Sequence, residues 1–231
     1  MVKSNFMSKI VHPYAHRLII LRDWKSHWFA DPKKYCDYLK GYVLIREYLE
    51  KKLRGMYVSS IEIERNQKTT RFVIRTSRPG LIIGRNGEGV TKLKEDILGK
   101  ISKLKLTKSE DFKLEIIEVS NPEADAAIIA YMIAEGLEKR MPYRRVIKQI
   151  VEKVMQAHGV EGVRVVLSGR LGGADIARTE ELKRGSIPLQ TFRADIDFKR
   201  ERAHLPYGDL GIKVWVYRGK IFSKKQEVKN N

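Results

Sequence analysis

A pair of glycines, Gly84 and Gly87, constrains this 231-residue chain more than any other feature, because it interrupts a hydrophobic stretch between a strand-like pattern and a helical one. Glycine has no Cβ, so the backbone there can turn tightly and approach a ligand closely. The free N–H groups and positive dipole end of the following helix face the same space. Arg85 and Asn86 stand between the glycines, and the arginine adds charge at the tip. The pattern predicts a loop that clamps a nucleic-acid backbone through all four residues.

Hydrophobic periodicity predicts an α+β fold in two domains. Residues 31–120 are expected to form helices on a three-stranded sheet, and residues 121–222 two helices packed on a mostly antiparallel sheet that includes strands near 191–198 and 212–217. Residues 1–30 show no sustained period and are predicted to be an extended segment that orders against a partner. Residues 223–231 are predicted to be a short polar tail.

The net charge of +18 points to a polyanionic partner. Each quarter of the chain contributes to this excess, so the basic residues lie in folded sequence rather than in one tail. Charges interrupt every hydrophobic stretch, which argues against a membrane span. No single basic amphipathic helix dominates, as membrane-surface binding would favour. A single cysteine, Cys36, excludes an internal disulfide framework and a cysteine-based zinc site. These observations favour a nucleic acid that contacts several faces of the protein.

Basic residues cluster on one face of a helix predicted at 143–157. At about 100° per residue, Arg144, Arg145 and Lys148 fall within one arc, and valine and isoleucine side chains occupy the other side. Lys139 and Arg140 at the end of the preceding helix extend this cluster. A solvated helix face is the alternative interpretation. No acidic residue lies between Arg144 and Lys148, so contact with phosphates is an equal alternative.

A glycine-rich segment at 168–180 is the third feature of interest. Its glycines bend a predicted strand, and Arg170 and Arg178 project from it. The residues alone leave a structural bulge and a phosphate contact equally open.

The stretch from Ile82 to Val90 resembles the K-homology (KH) signature over its whole length. The helix and strand that precede it, at 32–65, resemble the type II arrangement of that domain. Relatives usually carry two lysines inside the glycine pair, whereas this chain carries Arg85 and Asn86.

The chain as a whole resembles the bacterial-type ribosomal protein S-three family, from residue 7 to about residue 222. The resemblance is carried, in chain order, by Val11-His12-Pro13, Trp28-Phe29-Ala30, the KH stretch, Tyr143-Arg144-Arg145, the segment 168–180, Arg193-Ala194-Asp195-Ile196-Asp197 and Gly211-Ile212-Lys213-Val214-Trp215. The segment 168–180 is its most diagnostic part. Family members typically begin near Met7, so translation is expected to start there.

This resemblance implies a structural constituent of the small ribosomal subunit, in the cytoplasm. It implies binding to small-subunit rRNA in the lower part of the head, beside ribosomal proteins S-ten and S-fourteen. It also implies that Arg144, Arg145 and Lys148 bind mRNA at the channel through which mRNA enters the ribosome, position it and assist its unwinding. Further rRNA contacts are expected at Arg17, Lys139, Arg140, Arg170 and Arg178. No cofactor, metal, small-molecule substrate or membrane partner is expected.

Two other classes of function compete with this interpretation. An enzyme would need a reactive constellation, and the candidates are a histidine pair, His12 and His16, and a carboxylate pair, Asp195 and Asp197, that suggests Mg²⁺. Pro13 makes the histidine pair a poor metal site, and no Gly-Lys-Ser/Thr follows the glycine pair as a nucleotide-binding loop requires. The second alternative is a free KH-type RNA regulator that acts off the ribosome.

Overall fold

The computed structural model describes residues 11–66, 69–103 and 111–221. The expected start at Met7, most of the polar loop between Lys103 and Asp111 and the predicted tail at 223–231 lie outside these residues. In the first half of the chain the elements are α1 (Pro13–His16), β1 (Ser26–Trp28), α2 (Pro32–Lys52), β2 (Val58–Arg65), β3 (Thr69–Thr76), α3 (Pro79–Ile83), α4 (Glu88–Lys103) and β4 (Asp111–Glu118).

The first sheet has the strand order β1-β2-β3-β4. Strands β2 and β3 are antiparallel, whereas β4 runs parallel to β3. The chain order α2-β2-β3-α3-α4-β4 is the type II KH arrangement. Helices α2 and α4 cover one face of the sheet, because their apolar positions recur at helical spacing and bury residues such as Ile45, Leu49, Leu93 and Ile97 against the strands.

The first sheet has four strands rather than the three that the sequence predicts for residues 31–120. The additional strand, β1, comes from the N-terminal segment and pairs in parallel with β2. Three residues are too few for the alternating pattern that identifies a strand in sequence. The segment described as extended therefore contains a short helix and a strand.

The second half of the chain contains α5 (Ala126–Glu138), α6 (Tyr143–Gln156), β5 (Gly162–Gly169), β6 (Arg178–Gly185), β7 (Ala194–Leu205) and β8 (Gly208–Lys220). The strands form a sheet of order β6-β5-β8-β7, in which every pair of neighbours is antiparallel. Both helices pack on one face of this sheet, around Ile133, Val151, Val165 and Val214. The predicted α+β class and the two helices on an antiparallel sheet are confirmed.

Strands β7 and β8 are longer than the sequence predicts and form one hairpin. Their pairing continues from Ala194 opposite Lys220 to Leu205 opposite Gly208. The predicted strands near 191–198 and 212–217 cover only part of this hairpin. Charged side chains fill the middle of β7, so the apolar alternation that marks a half-buried strand is lost there although the backbone pairing continues.

The N-terminal segment and several polar contacts join the two halves. Ser59 donates a hydrogen bond to Asp125, and the Tyr57 hydroxyl donates one to Glu135. The Arg54 guanidinium lies 2.7 Å from the carboxylate of Glu138. These contacts connect the α2–β2 turn and the start of β2 with helix α5 and its N-cap.

None of the described helices is long and apolar enough to cross a membrane.

Candidate nucleic-acid interface

The glycine loop joins α3 to α4 with three residues, Gly84, Asn86 and Gly87, in the left-handed region of backbone space that favours glycine. Gly84 has φ = 71° and Gly87 has φ = 80°. Residues 85–87 form a single 3₁₀ turn between them, with Asn86 at φ = 50°. Asparagine tolerates this conformation better than most residues because its short side chain can hydrogen-bond locally. The loop is therefore a tight turn, and the N-terminus of α4 faces the solvent-exposed side of this loop.

A third glycine, Gly89, allows α3 and α4 to cross closely behind the loop. A Cβ at this position would lie 2.3 Å from the carbonyl oxygen of Ile82 and 2.8 Å from that of Ile83. Both neighbours are backbone atoms, so no side-chain rotation could relieve the contact. This close approach sets the angle at which the loop leaves the domain.

Arg85 and Asn86 at the tip of the loop are exposed. Within the described part of the chain, neither side chain has a hydrogen bond or an ion pair. An exposed guanidinium at a helix N-terminus is a suitable ligand for a phosphate. The predicted site residues of the loop thus lie together on one accessible turn.

The hydrophobic residues beside the loop divide between surface and core. Leu81 is 54% exposed and Ile83 is 38% exposed, whereas Ile82 is only 2% exposed and packs in the core with Phe72 and Leu93. Ile117 on β4 is also exposed, at 37%. Apolar surface of this kind can stack against unpaired bases. Ile82 does not contribute to this surface, because helical spacing turns it inward.

Helix α6 is anchored through its apolar side and exposes its basic side. Val146, Ile147, Val151 and Val154 are buried against the second sheet. Arg145 and Lys148 are exposed, and neither forms an ion pair with a described residue. Burial of the apolar side therefore keeps the basic side of the helix towards solvent.

Arg144 differs from its neighbours because Glu180 on β6 reaches it. The carboxylate of Glu180 lies 3.2 Å from the Arg144 guanidinium and accepts a hydrogen bond of 2.7 Å from the Tyr143 hydroxyl. These two hydrogen bonds, Tyr143 first, lower the pKa of Glu180, and the charge of Arg178 contributes. The sequence places no acidic residue near Arg144 on its own helix, so this partner could be found only from the pairing of α6 with β6.

Arg178 and Glu180 are two residues apart in β6, so their side chains lie on the same side of the sheet. Because Glu180 contacts α6, Arg178 also lies on the side that faces this helix. Arg178 is the first residue of β6, and its side chain is exposed. Residues Arg144 and Arg178, which are far apart in sequence, therefore flank one carboxylate. We call the exposed cations Arg144, Arg145, Lys148 and Arg178 the α6 basic surface.

Two further candidates lie at the end of α5. Lys139 is engaged by Glu135, 2.5 Å away and one turn earlier in the helix. Arg140 has φ = 59°, ends the helix in the left-handed conformation, and is exposed without a side-chain partner among the described residues. Arg140 is thus the more available of the two for a phosphate.

Arg170 mainly orders the loop that contains it. Its Nε donates to the carbonyl of Ala174 at 2.9 Å, and its Nη1 donates to the carbonyl of Tyr207 at 3.2 Å. Its remaining nitrogen lies 3.2 Å from Asp175. Arg170 connects the glycine-rich loop to the β7–β8 turn.

The expectation of an rRNA contact at Arg17 conflicts with its environment. The residue is 1% exposed. Its guanidinium donates to the backbone carbonyls of Ala194 at 2.7 Å, Leu189 at 2.9 Å and Thr191 at 3.0 Å. Buried polar groups need partners, and these carbonyls supply them. Arg17 therefore attaches the N-terminal segment to the second domain and has no accessible donor for RNA.

The carboxylate pair considered for Mg²⁺ is occupied by arginines. Asp195 lies 2.6 Å from Arg22, and Asp197 lies 3.1 Å from Arg218. Asp197 also accepts a hydrogen bond from the backbone N–H of Ala126.

His12 and His16, the candidate metal ligands, contact aromatic rings. His12 packs edge-on against Phe198, with ring centroids 4.8 Å apart, and His16 stacks on Phe192 at 4.3 Å. In the part of the chain that the structure describes, no group of three or more potential ligands could hold a metal ion.

Comparison with known proteins identifies both halves. The family model described as KH domain matches residues 44–124. The family model described as Ribosomal protein S3, C-terminal domain, matches residues 133–216. The two matches correspond to the two sheets.

Curated relatives match almost the full chain. The small ribosomal subunit protein uS3 of Clostridium tetani is 42% identical over 223 residues, which cover 96% of this chain and 98% of the relative. The protein of the same name from Caldicellulosiruptor bescii is 44% identical over 219 residues, covering 95% and 96%. That from Pseudomonas aeruginosa is 42% identical over 221 residues, covering 96% and 93%. The chain therefore belongs to the small ribosomal subunit protein uS3 family and is a structural, non-enzymatic constituent of that subunit.

Proposed function

We propose that this small-subunit constituent binds two RNAs through separate surfaces. The loop of Gly84, Arg85, Asn86 and Gly87 binds small-subunit rRNA in the lower part of the head, where ribosomal proteins S-ten and S-fourteen are neighbours in the cytoplasmic ribosome. Arg144, Arg145 and Lys148 of the α6 basic surface bind mRNA at the channel through which it enters the ribosome and help to unwind its structure, while Arg178 at the edge of that surface contacts rRNA.

The observation that carries the mRNA proposal is the pair of exposed cations Arg145 and Lys148, which have no ion-pair partner among the described residues and lie on a helix whose other side is buried. Contacts from such cations to phosphates are independent of base sequence, which suits a channel that must accept every message. They hold a single strand by its backbone while the moving ribosome pulls it forward. Strands that would otherwise pair again are thereby kept apart, and no nucleotide hydrolysis by this chain is required.

The test of the mRNA contact replaces both unpaired cations, Arg145→Gln with Lys148→Gln. We expect ribosomes that carry this double variant to slow more on messages with stable hairpins than on unstructured messages. Lys153→Gln is the matched control, because it removes a charge from the same helix at a lysine that Glu123 already pairs at 3.1 Å. Equal slowing on both kinds of message would contradict the unwinding role.

The test of the KH loop reverses its charge with Arg85→Asp and Asn86→Asp. Both side chains are exposed, so the fold should persist while affinity for a transcript of the head rRNA falls. Loss of a phosphate contact also reduces the slope of log affinity against log salt by about one. Lys40→Asp, on the exposed side of α2, is the control for a general electrostatic effect. Unchanged affinity of the double variant at fixed salt would refute the assignment of the loop.

Sedimentation distinguishes a resident ribosomal protein from a free regulator. We expect the native protein to migrate with the small subunit in a sucrose gradient. Its presence mainly in the light fractions would favour the free KH-type regulator.

A further inference from the structure

A polar cleft of about 250 Å³ lies where the two domains meet. Helix α2 and strand β2 form one side, and α5 and β7 form the other; its polar lining includes Lys25, Arg46, Glu50, Ser59, Ser60 and Lys199. At about 30 Å³ per water in the liquid, the cleft holds several waters, so a phosphate group can enter by displacing some of them. Ligand-binding pockets commonly lie at the interface between two domains, as this cleft does.

The lining of the cleft carries an excess of positive charge. Lys25, Arg46 and Lys199 contribute three cations against the single carboxylate of Glu50. None of the three cations forms an ion pair with a described residue. They come from the N-terminal segment, from α2 and from β7, so folding brings together charges that are far apart in sequence.

Carboxylates close to the cleft are already engaged by other groups. Asp197 is bound by Arg218, and Asp125 accepts hydrogen bonds from Ser59 and from the backbone N–H groups of Ala127 and Ile128. Glu62 faces Arg75 at 3.1 Å. Asp197 and Asp125 still attract Lys25, so these acids compensate the three cations only in part.

Neighbouring side chains position each of the three cations. The ammonium of Lys25 lies over the ring of Tyr14, 5.0 Å from its centroid, and that of Lys199 lies 5.9 Å from the ring centroid of Tyr131. A cation over an aromatic face is attracted to it but remains charged. Arg46 donates one hydrogen bond of 2.6 Å to Ser26.

Arg46 also has a donor with nothing to bind. Its Nε is buried and has no hydrogen-bond acceptor in the described part of the chain. Buried donors normally have partners, so this Nε is available to an acceptor that enters the cleft. The pKa of Lys25 is lowered, first by burial of its ammonium and then by repulsion from Lys199 and, less strongly, Arg46; attraction to Asp197 and Asp125 offsets only part of this. A bound anion would relieve this repulsion.

We propose that this cleft is a phosphate-binding site whose ligand oxygens accept hydrogen bonds from Lys25, Arg46 and Lys199. The phosphate belongs either to an RNA backbone or to free inorganic phosphate, and only the first source rests on the proposed RNA-binding function. Because the three cations come from both sides of the domain boundary, an occupied cleft joins the N-terminal segment, the KH domain and the second sheet through one ligand.

Lysine protection in the wild-type protein tests the site directly. The chain is acetylated briefly in three conditions, namely without ligand, with a transcript of the head rRNA, and with inorganic phosphate at matched ionic strength; mass spectrometry then reads each lysine. A bound phosphate favours the unreactive ammonium form, and a pKa rise of half to one unit slows acetylation about three- to tenfold. We expect this slowing at Lys25 and Lys199 and no comparable change at the exposed Lys33.

The two ligand arms identify the source. Protection by rRNA alone assigns the phosphate to the RNA backbone, and protection by inorganic phosphate assigns a site for the free anion. If neither rRNA nor inorganic phosphate slows the acetylation of Lys25 and Lys199 more than that of Lys33, the proposal is wrong.

A variant that removes one positive charge from the cleft distinguishes this site from the other proposed rRNA- and mRNA-binding surfaces. If RNA supplies the phosphate, Lys199→Gln should weaken rRNA binding about threefold and reduce the salt slope by about 0.7 to 0.9, more than the control Lys33→Gln. An effect of Lys199→Gln no greater than that of the control overturns the RNA assignment of the cleft. The KH-loop variant makes the two proposals distinguishable. If this variant binds RNA normally while Lys25 and Lys199 stay protected, the KH proposal is refuted and the cleft site stands.

Discussion

Replacing Gly89 by alanine tests whether the close crossing of α3 and α4 holds the RNA-binding loop in shape. A Cβ there would approach the carbonyl oxygen of Ile82 to 2.3 Å and that of Ile83 to 2.8 Å, distances that real Cβ atoms essentially never show. Since both obstacles are backbone, α3 must move away from α4. The movement would alter the exit angle of the glycine loop.

The expected size of the effect follows from two opposing contributions. Forcing a methyl group into a packed contact costs about 1–3 kcal/mol, and a contact this short belongs at the upper end. Alanine is favoured over glycine inside a helix by about 1 kcal/mol. We therefore expect Gly89→Ala to lower the free energy of unfolding by about 2 kcal/mol. For a chain of this length, that corresponds to a fall in Tm of about 4–8 °C.

Gly99 provides a matched control in the same helix. It is exposed, and a Cβ at this position would meet nothing within 4 Å. Gly99→Ala should therefore show only the gain in helix propensity, about 0.5–1 kcal/mol. The two substitutions are chemically identical and lie in one helix, yet we expect opposite signs.

Thermal and urea unfolding, followed by far-UV circular dichroism, measure both variants. Binding of the head rRNA transcript, at a temperature where both remain folded, tests the effect on the loop; we expect weaker binding only for Gly89→Ala. If Gly89→Ala were as stable as the wild type, or if both variants shifted in the same direction, the proposed role of the α3–α4 contact would be wrong.

Three further substitutions test other parts of the structure. Arg17→Met leaves several buried carbonyls without donors, so unfolding free energy should fall by about 3 kcal/mol in urea titrations while the salt slope of RNA binding stays unchanged. The pKa of Asp125 is raised by burial and then by Asp197; its contribution to stability is therefore lost as pH rises through the folded pKa. Asparagine retains the helix cap, so the stability of Asp125→Asn relative to wild type should increase between pH 3 and pH 7 in urea titrations, and a decrease would contradict this assignment. Glu180→Gln removes the carboxylate beside Arg144 and should tighten RNA binding in filter assays, whereas weaker binding would mean that Glu180 orders the basic surface.

Local sequence patterns identify most helices and strands of this chain. The apolar spacing of α2 and α6 predicts both helices to within a few residues of their observed ends, because packing on one side requires that spacing. The second domain is predicted to begin at residue 121, but its first α-helix begins only at Ala126. Residues 122–124 form a separate 3₁₀ turn, and Asp125 then caps the helix that begins at Ala126.

Local sequence patterns identify some residues of the candidate site and miss the environment of others. The tight turn of the glycine loop follows from the sequence, since its residues are contiguous and its backbone requirements are local; its binding to RNA stays a prediction. Arg145 and Lys148 are also predicted, because one helix face contains both. Arg17 was predicted incorrectly, because a basic residue in a segment without periodicity carries no signal for burial.

The sequence by itself determined the α+β class, the glycine loop and the basic side of α6, because each depends on neighbours within about two helical turns. Only the tertiary structure decided that Glu180 meets Arg144 across 36 residues and that Arg17 bonds to Ala194 across 177. It also decided that Lys25, Arg46 and Lys199 surround one cleft. The physical reason is that periodicity specifies which side of an element is buried, whereas the partners of a charged side chain are set by how whole elements and domains pack together.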